Sequence, residues 1–242
     1  MKVLRVLLLC ILSVIHAFAG EIVSFDHSNP PFMFEQNQKA AGLYPDVISE
    51  AFRRMGQPVT FQCLPWTRAL VGAEQGEWGV GGLYRTRERE HKFVFSDPLY
   101  DEVLYVYVLK GMEFPFTGLA DLYGKHLGVL RGWSYGDEFD RAVAAGRISV
   151  ESVNNDQINI SRLLKGRVDG VLMMSECYVR IKNSADPDAR LCALNPPLTV
   201  NQTYLGFSKG NHNNHLLEQF NAVLRDMRRD GSFDRIVRFN LR

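Results

Sequence analysis

The sequence predicts an α/β fold with mainly parallel sheets flanked by helices. Short apolar, strand-like runs alternate with amphipathic helical segments from residue 22 to the end of the chain. Glycines close many of the helical segments. The hydrophobic content of 46% and charged content of 23% are those of an ordinary globular chain.

The elements follow in order. Residues 22–25 read as a first strand. Residues 45–55 read as a helix: Pro45 suits a first helical position, Val47, Ile48, Ala51, Phe52 and Met55 share a face, and Gly56 stops it. Residues 59–62 are strand-like, 67–75 form a helix closed by Gly76, and 104–109 form a strongly apolar strand. The middle repeats the alternation, with strand 127–130, helix 135–145, strand 148–153, helix 158–164 ended by Gly166, strand 168–173 and helix 175–181. Asn195-Pro196-Pro197 breaks the pattern as a connection. A strand at 204–207 precedes the clearest helix, in which Leu216, Leu217, Phe220, Val223, Leu224 and Met227 recur at helical spacing, with Gly231 after it. Crossovers in such a fold are right-handed, and ligands bind at the carboxyl ends of the strands.

The first residues point to secretion. Lys2 and Arg5, an apolar run at 6–15 interrupted only by Ser13, and Ala17-Phe18-Ala19 make the pattern of a secretory signal peptide, residues 1–19, with cleavage expected after Ala19. The apolar run is about ten residues, half of the roughly twenty that a spanning helix needs. The alternative is a membrane anchor. Cys10 follows Leu9, where a lipoprotein signal needs a small residue. Loss of Lys2 and Arg5 lowers the formal charge from +1 to −1. A near-neutral chain has no long-range field for nucleic acid or an anionic membrane surface, and no later stretch is long enough to insert in one.

Three cysteines follow the leader. An oxidising compartment permits a disulfide. Cys177 and Cys192, fifteen residues apart, are the pair expected to form it, closing a loop worth about 3 kcal/mol in the chain-entropy model. The alternative is two buried thiols. Cys63, in the run 59–63, reads as a core thiol. These spacings carry no metal signature, and there is no phosphate loop, nucleophile elbow or Ser/His/Asp spacing, so neither metal nor cofactor is expected. His212 and His215, beside asparagines, read as a solvated helix start.

One stretch is specific. Thr86-Arg87-Glu88-Arg89 followed by Phe93-Val94-Phe95-Ser96-Asp97-Pro98-Leu99-Tyr100 resembles the bacterial periplasmic solute-binding proteins for polar amino acids, family 3, as a divergent member. Other landmarks agree in order: Asp26 with Asn29-Pro30-Pro31-Phe32, Gly42-Leu43-Tyr44-Pro45-Asp46-Val47, Leu127 to Gly132, Gly166 to Val171, Phe207 to Gly210, and Phe220-Asn221 ending in Asp230-Gly231-Ser232. The resemblance implies a two-lobed type 2 periplasmic-binding fold. Lobe I would hold residues 20–101 plus 203–242 and lobe II residues 102–202, with two crossing segments near 100–103 and 201–204 as the hinge. It implies a monomer that delivers a small-molecule ligand to an inner-membrane ABC permease or to a sensor.

The resemblance also implies a site. The matching arginine, Arg89, grips a ligand carboxylate, a pairing that suits a planar guanidinium. Ser134, in Gly132-Trp133-Ser134-Tyr135-Gly136 before a helix, supplies a hydroxyl from the other lobe, where helix N–H groups favour an anion. Asp26 lines the site, with Asn29 and Phe32 in the same loop. Trp66, Tyr84, Trp133 and Tyr135 add aromatic surface suited to a ring or a cation, and Arg68 is a further candidate. Two departures stand out. Gly82 and Tyr84 replace small hydroxyl residues, and Met174 stands where the family has the aspartate that holds the ligand's ammonium, with Glu176 as a substitute. The expected ligand is therefore a carboxylate-bearing amino acid or related polar or aromatic metabolite. The alternatives are an enzyme resembling cyclohexadienyl dehydratases, with Asp26 and Glu176 as acid and base, and a sensory domain.

Overall fold

The computed structural model describes residues 20–210 and 213–241. The leader at 1–19 and His212 lie outside the described residues. The first half of the chain forms β1 (Glu21–Asp26), β2 (Ser28–Asn29), β3 (Met33–Gln36), β4 (Lys39–Ala41), α1 (Leu43–Met55), β5 (Val59–Leu64), α2 (Trp66–Glu74), β6 (Gly79–Tyr84), α3 (Arg87–Lys92), β7 (Phe93–Phe95) and β8 (Tyr100–Leu109). A 3-10 turn at Leu119–Leu122 leads into β9 (His126–Leu130), α4 (Asp137–Ala144), β10 (Ser149–Val153), α5 (Asp156–Leu164), β11 (Gly170–Met174), α6 (Ser175–Ala185) and β12 (Leu191–Ala193). The chain ends with β13 (Thr199–Ser208), α7 (Asn214–Arg229) and α8 (Ser232–Asn240).

Ten strands form one curled sheet in the order β10-β9-β11-β8-β13-β6-β1-β5, with β12 beside β8 and β7 beside β13, and β2, β3 and β4 form a separate antiparallel sheet. Two sets are parallel, β5-β1-β6 and β10-β9-β11. The antiparallel strands β8 and β13 join them, pairing Tyr100 with Thr203, Glu102 with Asn201 and Leu104 with Thr199. Beyond Leu104, β8 runs along β11 and β12; beyond Thr203, β13 runs along β6 and β7. The same two strands thus serve both sets.

Local sequence explains the elements. Gly56 ends α1 in the left-handed region (φ 66°), and the buried face of α1 packs on α7 through Phe52 and Phe220, whose rings are 6.1 Å apart. Asn155 caps α5 by accepting from Ile158 N at 3.0 Å. β6 is buried throughout although three of its six residues are glycine. A Cβ on Gly79 or Gly81 would press into the ring of Phe207 or Phe25, so these glycines let large aromatics cover the strand. Among the described residues no helix is long and apolar enough to cross a membrane.

Three expectations need correction. The helix expected from Tyr135 begins at Asp137, because Gly136 before it has φ 104°, outside the helical range. The expected disulfide is absent: Cys177 and Cys192 are both free. Cys177, in the first turn of α6, turns its sulfur toward Asn29 Oδ1 at 3.2 Å, whereas Cys192, on β12, turns its sulfur toward Glu113 at 3.3 Å. A disulfide needs convergent Cβ vectors, which sequence spacing does not specify. Cys63 is half-buried rather than a core thiol. Alkylation of the native protein is expected to label Cys192 and spare Cys177, which is 1% exposed. Peptide mapping that found the two joined would contradict this arrangement.

Candidate functional site

β1 and β9, one from each parallel set, end at a common cleft. Asp26, the last residue of β1, is buried; its Oδ1 accepts from Ser28 N at 2.9 Å and Ser28 Oγ at 3.0 Å. Its Oδ2 accepts from Trp133 Nε1 at 3.1 Å, and Trp133 follows β9. That bond therefore crosses the cleft. Further contacts cross it: the Ser28 hydroxyl, whose one proton is shared with Asp26 Oδ1, lies 3.1 Å from Asn154 O, the Cys177 thiol donates to Asn29 Oδ1, and Arg87 N donates to Asp137 Oδ1 at 3.2 Å. The Trp133 ring packs on Trp66 with centroids 5.5 Å apart and meets Tyr84 edge-on at 6.5 Å. A cavity of about 100 Å³ remains beside it, walled by Asp26, Ser28, Trp66, Arg131, Trp133 and Asn154.

Arg89 lies on α3. Thr86 caps that helix by accepting from Arg89 N at 3.2 Å, and the Arg89 side chain is 9% exposed. One guanidinium N–H donates to Tyr84 O at 3.1 Å. Among the described residues no carboxylate lies within ion-pairing distance of it; the ten ion pairs found involve other cations. Burial pulls the Arg89 pKa below its ordinary range, and the charge of Asp140 is the largest opposing influence. Asp140 reaches back over the start of α4. It accepts from Ser134 Oγ and, at 3.1 Å, from Tyr135 N, while Ser134 Oγ accepts from Gly136 N at 3.2 Å.

Two further acids belong to this region, and sequence reasoning passed over both. Glu102, on β8, is 1% exposed and accepts hydrogen bonds from the hydroxyls of Tyr44 and Tyr84. Burial pushes its pKa up to about 7, against the pull of those two hydroxyls, and Glu176 adds repulsion. Strand alternation was the available signal, since Leu104 and Val106 set the inward phase and Glu102 shares it. Asp156, the first residue of α5, is likewise pushed up to about 7 by burial, with repulsion from Asp26. Its place just beyond the carboxyl end of β10 was the signal. Asn29 Nδ2, Trp66 Nε1, Asp156 Oδ1 and both side-chain polar atoms of Asn159 are buried without a hydrogen-bond partner among the described residues.

The expected site residues separate into groups. Asp26, Trp66, Tyr84 and Trp133 come together at one wall. Arg89 and Ser134 both fall within reach of the field or the hydrogen bonds of Asp140. Asn29 faces Cys177. Phe32 stacks on Tyr44 at 5.7 Å and leans on Tyr100 at 5.8 Å. Gly82 has φ 78°, and a Cβ there would meet Tyr44 and Met33. Glu176 accepts from Ser175 Oγ at 2.9 Å, with Tyr100 Oη 3.5 Å away. Tyr135 turns inward instead: its hydroxyl accepts from Leu130 N at 2.7 Å and its ring lies on Phe139. Met174 is buried in the apolar core, Arg68 is exposed on α2, and His215 is exposed at the start of α7. Among the described residues no cluster of side chains suits a metal ion.

Residues 22–239 match the sequence description of the bacterial extracellular solute-binding proteins, family 3. The L-cystine-binding protein TcyJ of Escherichia coli strain K12 is 23% identical over 214 residues, 87% of this chain and 78% of that one. An ancestral arginine-binding protein, solved bound to arginine, is 25% identical with a TM-score of 0.76, covering 90% of this chain and 97% of the other. An ancestral amino acid-binding protein described as a precursor of cyclohexadienyl dehydratase shares the fold at 20% identity and a TM-score of 0.73, over 92% of this chain and 95% of that one. These structural neighbours are two-lobed.

The buried Glu102 makes stability depend on pH. Its pKa is raised on folding from 4.5 to about 7, so below pH 4.5 it is protonated in both states and its contribution is complete. As pH rises through about 7 the unfolded chain sheds the proton first, and up to about 3 kcal/mol is lost. Denaturant titrations of wild type and Glu102→Gln at pH 5 and pH 8 are expected to show a smaller loss in the variant. Equal losses would contradict the assignment.

Proposed function

Because the chain belongs to the bacterial extracellular solute-binding proteins, family 3, we propose that it captures a small carboxylate-bearing ligand, an amino acid or a related polar or aromatic metabolite, in the cleft between its lobes. On this reading residues 20–101 with 203–242 form one lobe and 102–202 the other, and the β8–β13 ladder is the hinge. The chain is secreted to the periplasm with cleavage after Ala19 and acts there as a monomer. It passes its ligand unchanged to an ABC-type permease.

The observation that carries the reading is Arg89. A buried guanidinium that spends one N–H on a backbone carbonyl and has no ion-pair partner among the described residues retains donors for an anion. A carboxylate is the anion whose two oxygens fit that fork. The unpartnered polar atoms of Asn29 and Trp66 are two more groups that a bound molecule satisfies. Family members are periplasmic and bind small molecules for ABC transporters, which supports the compartment and the partner.

The test is calorimetric. The amino acid that most raises the melting temperature of wild type, chosen from the twenty common ones, is titrated into Arg89→Ala. Removing one partner of a buried, hydrogen-bonded charge pair costs about 2–5 kcal/mol, so binding is expected to weaken by roughly thirtyfold or more. Unchanged affinity in a folded Arg89→Ala protein removes Arg89 from the site.

A further inference from the structure

The cleft wall holds a residue whose geometry resembles that of a bound molecule rather than a lining. Trp133 lies in a short connection between β9 and α4, preceded by Gly132 at φ 74°. Its indole is half-buried, with one face toward Trp66 and its neighbour Tyr84 edge-on. Its single N–H donates to Asp26 Oδ2. The other oxygen of Asp26 is held by Ser28, so each of its carboxylate oxygens already has an internal donor. The volume left beside the indole, about 100 Å³, is well below the roughly 300 Å³ at which ordinary ligand pockets begin.

We infer that Trp133 is the specificity-determining residue of the cleft: it excludes amino acids with long, N–H-bearing side chains by filling the space against Trp66 and Tyr84 and capping Asp26. This inference rests on the cleft being the ligand site. The exclusion has a steric part and a polar part. A long cationic side chain needs the space that the indole fills. It also needs an acceptor buried among aromatic rings, and Asp26 is that acceptor. A desolvated carboxylate already paired to an internal donor gives a competing donor little net gain. Discrimination by an internal blocking group of this kind is specificity by exclusion. Small ligands that reach Arg89 without crossing Asp26 escape it.

L-arginine, a flat N–H donor on a long stem, is the probe. Calorimetric titration of wild type, Trp133→Ser and Trp133→Phe separates the two parts. Trp133→Ser removes both ring and N–H, and its affinity for L-arginine is expected to exceed that of wild type by at least about tenfold. Asp26→Asn placed in the Trp133→Ser protein is expected to abolish that gain. Trp133→Phe keeps a ring and frees Asp26, and is expected to stay within about threefold of wild type, since the space remains filled. Because Trp133 is half-buried on a connection, all three variants are checked for a cooperative melt before titration.

Equal L-arginine affinity in wild type and Trp133→Ser would overturn the inference, as would a gain that survives Asp26→Asn. If another amino acid still binds wild type through Arg89 while L-arginine binds neither form, the binding reading stands and the gating role falls. If no amino acid and no related polar or aromatic metabolite binds any form, the binding reading fails and takes the inference with it.

Discussion

The antiparallel ladder between Tyr100–Leu104 and Thr199–Thr203 holds the rest of the molecule in register. It is where the two parallel strand sets are joined, and both of its strands continue outward into one set or the other. Glu102 sits in the middle of it, opposite Asn201. Its carboxyl group lies under the hydroxyls of Tyr44, from α1, and Tyr84, from the end of β6. The Tyr84 carbonyl in turn receives Arg89. A continuous set of contacts therefore runs from the crossing strands to the buried guanidinium. Trp133 and Asp140 sit on one side of the ladder, and Arg89 and Asp26 sit on the other.

The electrostatics of the region are consistent with that geometry. Burial raises the pKa of Asp26, Asp140, Glu102 and Asp156 and lowers that of Arg89. Every one of these shifts disfavours charge, as expected where burial excludes water. The costs are not equal. Glu102 has two hydroxyl donors and Asp26 has three donors, while Asp156 keeps one oxygen without a partner and Arg89 has a single acceptor. Leaving buried polar groups unpaired costs on the order of 1–3 kcal/mol each.

Much of the architecture was legible in the sequence, and the reasons for the rest are physical. α1 and α7 announced themselves because their buried faces repeat at helical spacing and their ends carry glycine. β6 did not, because its glycines carry no side-chain pattern although the strand is wholly buried. α3 is one short, charged segment whose only inward residue is Arg89, and the resemblance located that residue where periodicity was silent. The pairing of Cys177 with Cys192 failed because spacing along the chain says nothing about which way a sulfur points. Tyr135 failed as a wall residue for the same reason: it neighbours Trp133 and Ser134, yet its hydroxyl closes on Leu130 inside the core. Asp140 and Glu102 lie inside segments that were singled out, the expected helix 135–145 and the crossing segment 100–103, but their hydrogen-bond partners became visible only when a helix turned back on its own start and two tyrosines closed over a strand.

The most direct measurement is a crystal structure of the wild-type protein with the amino acid that stabilises it most. A carboxylate bound to the Arg89 guanidinium at about 3 Å, between the end of β1 and the start of α4, is the predicted result. A ligand seated elsewhere, with Arg89 still bound only to the Tyr84 carbonyl, would contradict it.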